Sequence, residues 1–357
     1  MVTALFDGAD LARPTASGSI EQPNVILFCS YVILSSTLIG IYRWLALRRS
    51  WLDSPNERSS HATATPRGAG LVFALLIAGA AGFELQGHVG IQFTIMLALG
   101  VAFIGWCDDV RGLSIRIRFL LYTLCAVIVL TLLYDDVVIR TDVGKPALLI
   151  FGLCAAIGLV WLINLYNFMD GINGIAGAEA LFVMLSTILL ASGTAYASAF
   201  RDFQFTASAA IVGFLLWNFP AGKVFMGDAG SAFLGFLFGS LMLWSAPLQG
   251  PSPIVWLILL GIFVVDTSYT LIVRMTTGQP WYQAHRMHAY QIITARLGSH
   301  AGTVAAIMTV NLCWLLPLAW LVYRQQLNAL LGLCIAYTPL LWGCYRLKAG
   351  IPLSGRV

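Results

Sequence analysis

Apolar residues in this chain come in long blocks, separated by short segments that collect most of the charges, glycines and prolines. Blocks bounded by charges or turn residues fall at 24–47, 69–85, 89–106, 117–134, 146–166, 175–192, 205–219, 232–246, 253–274, 302–323 and 327–345. Each is near the roughly 20 residues that a helix needs to cross a hydrocarbon core, and none shows the alternation of a barrel strand. The pattern predicts an all-α polytopic integral membrane protein with about eleven transmembrane helices. It forms one transmembrane domain over residues 1–357, in which 1–23 is a short polar leader. That leader holds Asp7, Asp10, Arg13 and Glu21 and lacks the basic start, apolar core and cleavage site of a secretory signal, so it is expected to be retained.

Composition strengthens this picture. The chain is 59% hydrophobic and 10% charged, against about 25% charged in an ordinary soluble domain. No internal repeat, low-complexity segment or soluble domain interrupts it, and nothing in its charge pattern suits nucleic acid. Seven cysteines (Cys29, Cys107, Cys125, Cys154, Cys313, Cys334 and Cys344) are scattered, mostly inside apolar blocks and without a CxxC pair. They are expected to be buried small hydrophobes rather than metal ligands or disulfides.

The net charge of +4 matters less than its placement. Taking alternate loops as one side collects Arg43, Arg48, Arg49, Arg58, Arg67, Arg111, Arg116, Arg118, Lys223, Arg274, Arg286, Arg296, Arg346, Lys348 and Arg356, which is 15 of the 20 Lys and Arg. The other side holds Arg13, Arg140, Lys145, Arg201 and Arg324. The positive-inside rule then puts the N-terminus outside and the C-terminus in the cytoplasm. The same alternation places the polar segments 53–70, 108–118, 167–174, 218–231 and 274–300 together on the cytoplasmic face, the last of them long enough for a short amphipathic helix at the interface.

These segments carry the candidate chemistry. Asp108 and Asp109 follow a block directly, with Arg111, Arg116 and Arg118 behind them. Adjacent carboxylates beside lipid need a metal, a cation or a proton. A solvated acid pair, like Asp135 and Asp136 on the outer face, fits the spacing equally well. Asn167, Asp170 and Asn173 recur at intervals of three among Gly171 and Gly174. If the preceding helix continues, they share one face and clamp a polar ligand; helix capping accounts for one or two of them, not three. In Phe225-Met226-Gly227-Asp228-Ala229-Gly230-Ser231, Asp228 is either a helix cap or a ligand for a hard divalent cation. His285-Arg286-Met287-His288 packs two of the five histidines beside an arginine, a cationic cluster suited to a diphosphate. Asp266 and Glu179 lie in or near apolar blocks and receive no role; helix-to-helix bonding explains them at least as well.

Taken in order, from Asp53-Ser-Pro-Asn56-Glu-Arg58-Ser-Ser-His61 and Pro66-Arg67-Gly68-Ala69-Gly70 to His288, these motifs resemble the polyprenyl-phosphate N-acetylhexosamine-1-phosphate transferase superfamily. The resemblance implies a single transmembrane catalytic domain with its active site built from cytoplasmic loops. Such an enzyme moves a sugar 1-phosphate from a UDP-N-acetylhexosamine to a polyprenyl (undecaprenyl) phosphate, releases UMP and uses Mg2+, with Mn2+ as an alternative. It also implies roles: Asp108, Asp109 and Asp228 as catalytic residues, and Asp228 with Asn167 as metal ligands. Asn173 and Asp170 become substrate contacts, Phe225 stacks on uracil, Arg118 binds phosphate, and His285, Arg286 and His288 bind the diphosphate. The protein is then a multi-pass component of the bacterial inner membrane with a periplasmic N-terminus, and a homodimer is compatible with the Gly235–Gly239 spacing, as is packing within one chain.

One departure refines the expectation. The cell-wall enzyme that transfers phospho-N-acetylmuramoyl-pentapeptide has three consecutive histidines where this chain reads Ala284-His285-Arg286-Met287-His288-Ala289-Tyr290-Gln291. The run instead resembles the branch that begins lipopolysaccharide O-antigen assembly. The alternatives are a peptidoglycan- or teichoic-type transferase within the family and, outside it, a membrane transporter.

Overall fold

A computed structural model describes residues 24–54, 63–140, 145–245, 248, 250–280, 283 and 285–352. The leader at 1–23 and most of the Asp53–His61 motif lie outside the described residues. Helices follow the apolar blocks because an apolar backbone in lipid must satisfy its own hydrogen bonds. They are α1 (Val25–Arg49), α2 (Gly70–Glu84), α3 (Val89–Arg111), α4 (Ile115–Arg140), α5 (Lys145–Met169), α6 (Ile175–Leu190), α7 (Ala195–Asn218), α8 (Gly227–Ser245), α9 (Pro253–Leu259), α10 (Gly261–Thr276), α11 (Ala289–Leu297), α12 (His300–Val310), α13 (Leu316–Tyr323) and α14 (Ala329–Arg346). Asn24 caps α1 by accepting from the Leu27 N–H at 3.0 Å, and Arg48 and Arg49 stand in its last turn, where the helix dipole favours cations.

Each expected span coincides with a helix or a helical pair. By length and apolarity five described segments can cross a membrane: α1, α3, most of α4, most of α5, and the run His300–Tyr323. The block at 253–274 is not one straight span. It breaks between α9 and α10 with an 80° bend, where Gly261, a poor helix former, begins the second half. A π-helical turn, Asn311–Leu315, lies between α12 and α13. The expected short helix in the 274–300 loop is α11. Two short strands, β1 (Leu52–Asp53) and β2 (Thr65–Pro66), were not expected; they pair antiparallel with Leu52 opposite Pro66.

The architecture centres on α8, buried along nearly its whole length and packed against α2, α3 and α5. A helix enclosed on all sides is apolar all round, and its glycines let neighbours approach: a Cβ at Gly235 would overlap the Leu162 carbonyl oxygen of α5. The Gly235–Gly239 spacing therefore serves packing within the chain. The cysteines correct the expectation, since only Cys344 is buried and Cys29, Cys154, Cys313 and Cys334 are exposed. Their helices turn those faces outward, where in a membrane protein the neighbour is lipid rather than water.

Candidate functional site

The polar segments meet at one end of the bundle: at the C-terminal ends of α3, α5, α7 and α10, and the N-terminal ends of α2, α4, α6, α8 and α11. At its centre Asp109, in the last turn of α3, accepts hydrogen bonds from the Asp228 and Ala229 N–H groups at 3.0 and 3.1 Å. This buried carboxylate caps α8 from another helix. Gly227 makes the approach possible: it sits at φ +69°, and a Cβ there would collide with the Asp109 carboxylate. Capping is thus done by Asp109, and the Asp228 side chain is left to meet two arginines. Arg67 Nη2 reaches Asp228 Oδ1 at 2.5 Å, and Arg118 Nη1 donates to Asp228 Oδ2 at 2.6 Å. Arg67 Nε also lies 2.7 Å from Asp109 Oδ1, and Arg118 Nη1 donates to Asp108 Oδ2 at 2.5 Å. Asp108 takes a further bond from the Leu113 N–H at 2.6 Å.

Backbone bonds fix the loop that carries Arg67. Phe225 N–H donates to Pro66 O, Ala69 N–H to Phe225 O, and Gly70 N–H to Met226 O, at 2.8, 3.1 and 2.9 Å. The Tyr42 hydroxyl donates to the Arg67 carbonyl at 2.6 Å. The β2–α2 loop and the segment before α8 therefore move as one unit, and Phe225 is held at their seam.

Asn167, Asp170 and Asn173 do not share a helix face. α5 ends at Met169, and the chain turns through Gly171 and Gly174, the latter at φ +86°, so Asn167 and Asp170 stay beside Asp228 while Asn173 turns away toward Pro220. Asn167 donates to Ser231 Oγ of α8 at 3.2 Å. Asn173 donates from its amide to Pro220 O at 3.0 Å and from its N–H to His300 Nδ1 at 3.2 Å. The Gly174 N–H is received by Asn218 Oδ1 at 2.7 Å. Asp170 lies within the field of Arg67, Asp228 and Asp109. The turn thus contacts α8, the 218–222 loop and His300.

The remaining part is the loop before α11. Asp266 of α10 accepts from the Ala289 and Tyr290 N–H groups at 2.8 and 2.9 Å and lies 3.3 Å from His288 Nδ1. A second buried carboxylate therefore caps a helix from outside it and holds His288. The Tyr290 hydroxyl donates to Phe168 O at 3.0 Å, which ties this loop to the 167–174 turn. His285 stacks on His288 with ring centroids 4.8 Å apart. The cationic reading of the run needs correction: burial, reinforced by His288 and Arg274, lowers the His285 pKa to about 3, so its imidazole is neutral at pH 7. Arg286 is exposed and His288 buried.

Carboxyl groups outnumber guanidinium groups at the centre. Asp108, Asp109, Asp170 and Asp228 face the two guanidinium groups of Arg67 and Arg118. Desolvation by the packed turn pushes the Asp170 carboxyl well above the usual carboxylate range; Arg67 opposes the shift while Asp228 and Asp109 add to it. Burial works against the charge on Arg67, but Asp109, Asp228 and Asp53 outweigh it and raise its pKa further. The donors are oxygens, which suit a hard divalent cation. Among the described residues no three His, Cys, Asp or Glu side chains converge as a ready metal cage.

Sequence reading did not single out Arg67, Asn218, Ser231 or His300 as site residues, and it gave Asp266 no role. Arg67 stood in the Pro66–Gly70 motif and His300 at the end of the 274–300 segment, but a partner more than a hundred positions away leaves no local periodic signal.

Residues 91–246 match glycosyl transferase family 4, an interval that holds the acidic pair, the 167–174 turn and Asp228 but neither Arg67 nor the histidine loop. The chain is 25% identical over 301 residues to the probable undecaprenyl-phosphate N-acetylglucosaminyl 1-phosphate transferase of Bacillus subtilis, covering 80% of this chain and 82% of that one. It is 26% identical to the undecaprenyl-phosphate alpha-N-acetylglucosaminyl 1-phosphate transferase of Thermotoga maritima, over 74% of this chain and 80% of that one. The phospho-N-acetylmuramoyl-pentapeptide-transferase of Gloeothece citriformis is also 26% identical, over 75% of this chain and 83% of its own.

Proposed function

We propose that this chain, which belongs to the polyprenyl-phosphate N-acetylhexosamine-1-phosphate transferase superfamily, transfers a sugar 1-phosphate from a UDP-N-acetylhexosamine to polyprenyl phosphate and releases UMP. The observation that carries this reading is the 167–174 turn, whose side chains and backbone contact α8 through Ser231, the 218–222 loop through Pro220 and the histidine loop through Tyr290. Through these contacts an acidic centre with two guanidinium groups and the loop carrying exposed Arg286 adjoin one turn, and phosphate transfer between two anionic substrates requires such parts.

The acceptor is a phosphate monoester and carries between one and two negative charges at neutral pH, so charge balance and positioning matter more than a strong base. In the step we favour, an oxygen of the lipid phosphate attacks the sugar-bearing phosphorus in line, a new P–O bond forms, and the bond to UMP breaks. Arg118 positions phosphate and Arg286 takes up charge on the departing UMP. Asp108, less enclosed than Asp109, orients the acceptor, while Asp109 holds α8 in place. Neutral His285 acts as a hydrogen-bonding group rather than a counter-ion. Asn173 and Phe225 receive the uracil.

Mg2+, or Mn2+ in its place, suits the oxygen donors and the cluster of carboxyl groups about Asp228. Asp228, on giving up one of its two guanidinium contacts, and Asn167 would hold it, and it would supply charge neutralisation at the donor diphosphate. The missing histidine triplet favours an N-acetylhexosamine over a muramoyl pentapeptide, and the His-Arg-x-His-Ala-Tyr-Gln run favours O-antigen assembly in the bacterial inner membrane. A carrier would concentrate its polar groups near mid-membrane, whereas here they gather at the helix ends. Purified protein given Mg2+, undecaprenyl phosphate and a panel of UDP-N-acetylhexosamines should release UMP with at least one donor, and only when the lipid is present. Folded protein that releases none with any donor would refute the reading.

A further inference from the structure

Arg67, in the Pro66–Gly70 motif that precedes the 91–246 match, touches the carboxylates at the centre of the site. Three observations set it apart from an ordinary ion pair. The first is where it faces: its side chain is 37% exposed, while those of Asp109 and Asp228 are 1% and 9% exposed. Asp109 and Asp228 hold the guanidinium, Asp53 adds a third carboxylate to its field, and the side chain still keeps over a third of its surface open to solvent.

The second is spare capacity. A guanidinium has five N–H donors in a planar fork, and Arg67 directs Nε at Asp109 and Nη2 at Asp228. Both Nη1 donors and one on Nη2 have no protein acceptor among the described residues. The third is rigidity. The Arg67 carbonyl is fixed by Tyr42, its N–H donates to Trp51 O at 3.2 Å, and Pro66 beside it is bonded to Phe225. A fork held from behind in one orientation loses little entropy on binding an anion. Arg118 stands on the other oxygen of the same carboxylate, so two such groups flank Asp228.

We propose that Arg67 is a phosphate-binding residue, presenting its outward N–H donors to a substrate phosphate while Asp109 and Asp228 hold it in place. The identity of that phosphate, on the nucleotide or on the lipid, rests on the transferase reading; the anion site does not. A latch that merely tied the β2–α2 loop to α3 and α8 would have no use for exposed donors, and the two roles separate by experiment.

Wild type, Arg67→Gln and Arg67→Lys are purified in detergent without divalent cation. Each is titrated calorimetrically with inorganic pyrophosphate, UMP, farnesyl phosphate and uridine, and its melting is followed. Arg67→Gln should weaken pyrophosphate binding by about tenfold or more, the scale of a lost charge-assisted contact, leave uridine binding unchanged, and exceed the loss in Arg67→Lys. A parallel loss for UMP assigns the residue to the donor, and one for farnesyl phosphate to the acceptor. Failure of wild type to bind pyrophosphate, equal phosphate affinities in wild type and Arg67→Gln, or a fall in uridine binding alongside melting temperature would each overturn the proposal. If wild type binds pyrophosphate through Arg67 but neither binds uridine nor releases UMP from a UDP-sugar, the transferase reading fails and the anion site stands.

Discussion

Among the described residues both guanidinium groups meet at Asp228 alone, with Arg67 on one oxygen and Arg118 on the other. Asp228→Asn keeps its shape but removes the charge that holds them. We expect transfer to fall by roughly two orders of magnitude, in the range for losing one preorganised electrostatic group, with a lower melting temperature as well, because one guanidinium would face the amide NH2 instead of an acceptor. Donor turnover at matched protein level checks it, and unaltered turnover would remove Asp228 from the machinery. His285 gives a pH prediction. With its pKa lowered from 6.5 to about 3 by burial, the folded chain binds one proton fewer than the unfolded chain between those values. Stability is therefore complete above about 6.5 and declines as pH falls through that window. Melting temperature should drop from pH 7 to pH 5 in wild type and drop less in His285→Asn, whose amide oxygen can still accept from the Met287 N–H. Identical pH dependence in both would contradict a buried neutral imidazole.

Among the elements, two helices, α8 and α11, begin on carboxylates borrowed from other helices, Asp109 and Asp266. Helix N-termini need acceptors, and an acceptor brought from elsewhere both stops the helix and fixes its position. A different bond joins α6 to the π-helical turn: Asn311 donates to Glu179 Oε2 at 2.6 Å, with both residues fully buried. Glu179 Oε1 and Asn311 Oδ1 are left without partners, and such π-turns often accommodate a specific side-chain contact. Glu179→Gln brings an amide whose N–H can satisfy Asn311 Oδ1, whereas Glu179→Ala strands the asparagine. Thermal unfolding in detergent should show little change for Gln and a loss of about 1–3 kcal/mol for Ala. Equal destabilisation by both would mean the pair contributes no hydrogen bonding of this kind.

For the whole molecule, a shared pocket requires all the polar segments to open on one side. With exposed positions changed to cysteine, an impermeant maleimide applied to intact spheroplasts should modify Gln86→Cys and Ser192→Cys but not Ser114→Cys or Lys223→Cys, which should react only after permeabilisation. Labelling is read against the unsubstituted chain, and reaction of Ser114→Cys from outside would reverse the orientation that the Lys and Arg bias implies. By itself the sequence determined that the chain is helical, which segments are apolar, and which short polar runs carry chemistry, because length, hydropathy and residue type act locally and do not depend on what lies opposite. Only the tertiary structure decided that α9 and α10 bend apart, that Asn173 parts from Asn167 and Asp170, that His285 is uncharged, and that Arg67 stands on Asp109 and Asp228. Those facts depend on burial and on contacts between residues far apart in the chain, such as the Asp109 carboxylate on the N-terminus of α8, and a linear pattern holds no record of such distances.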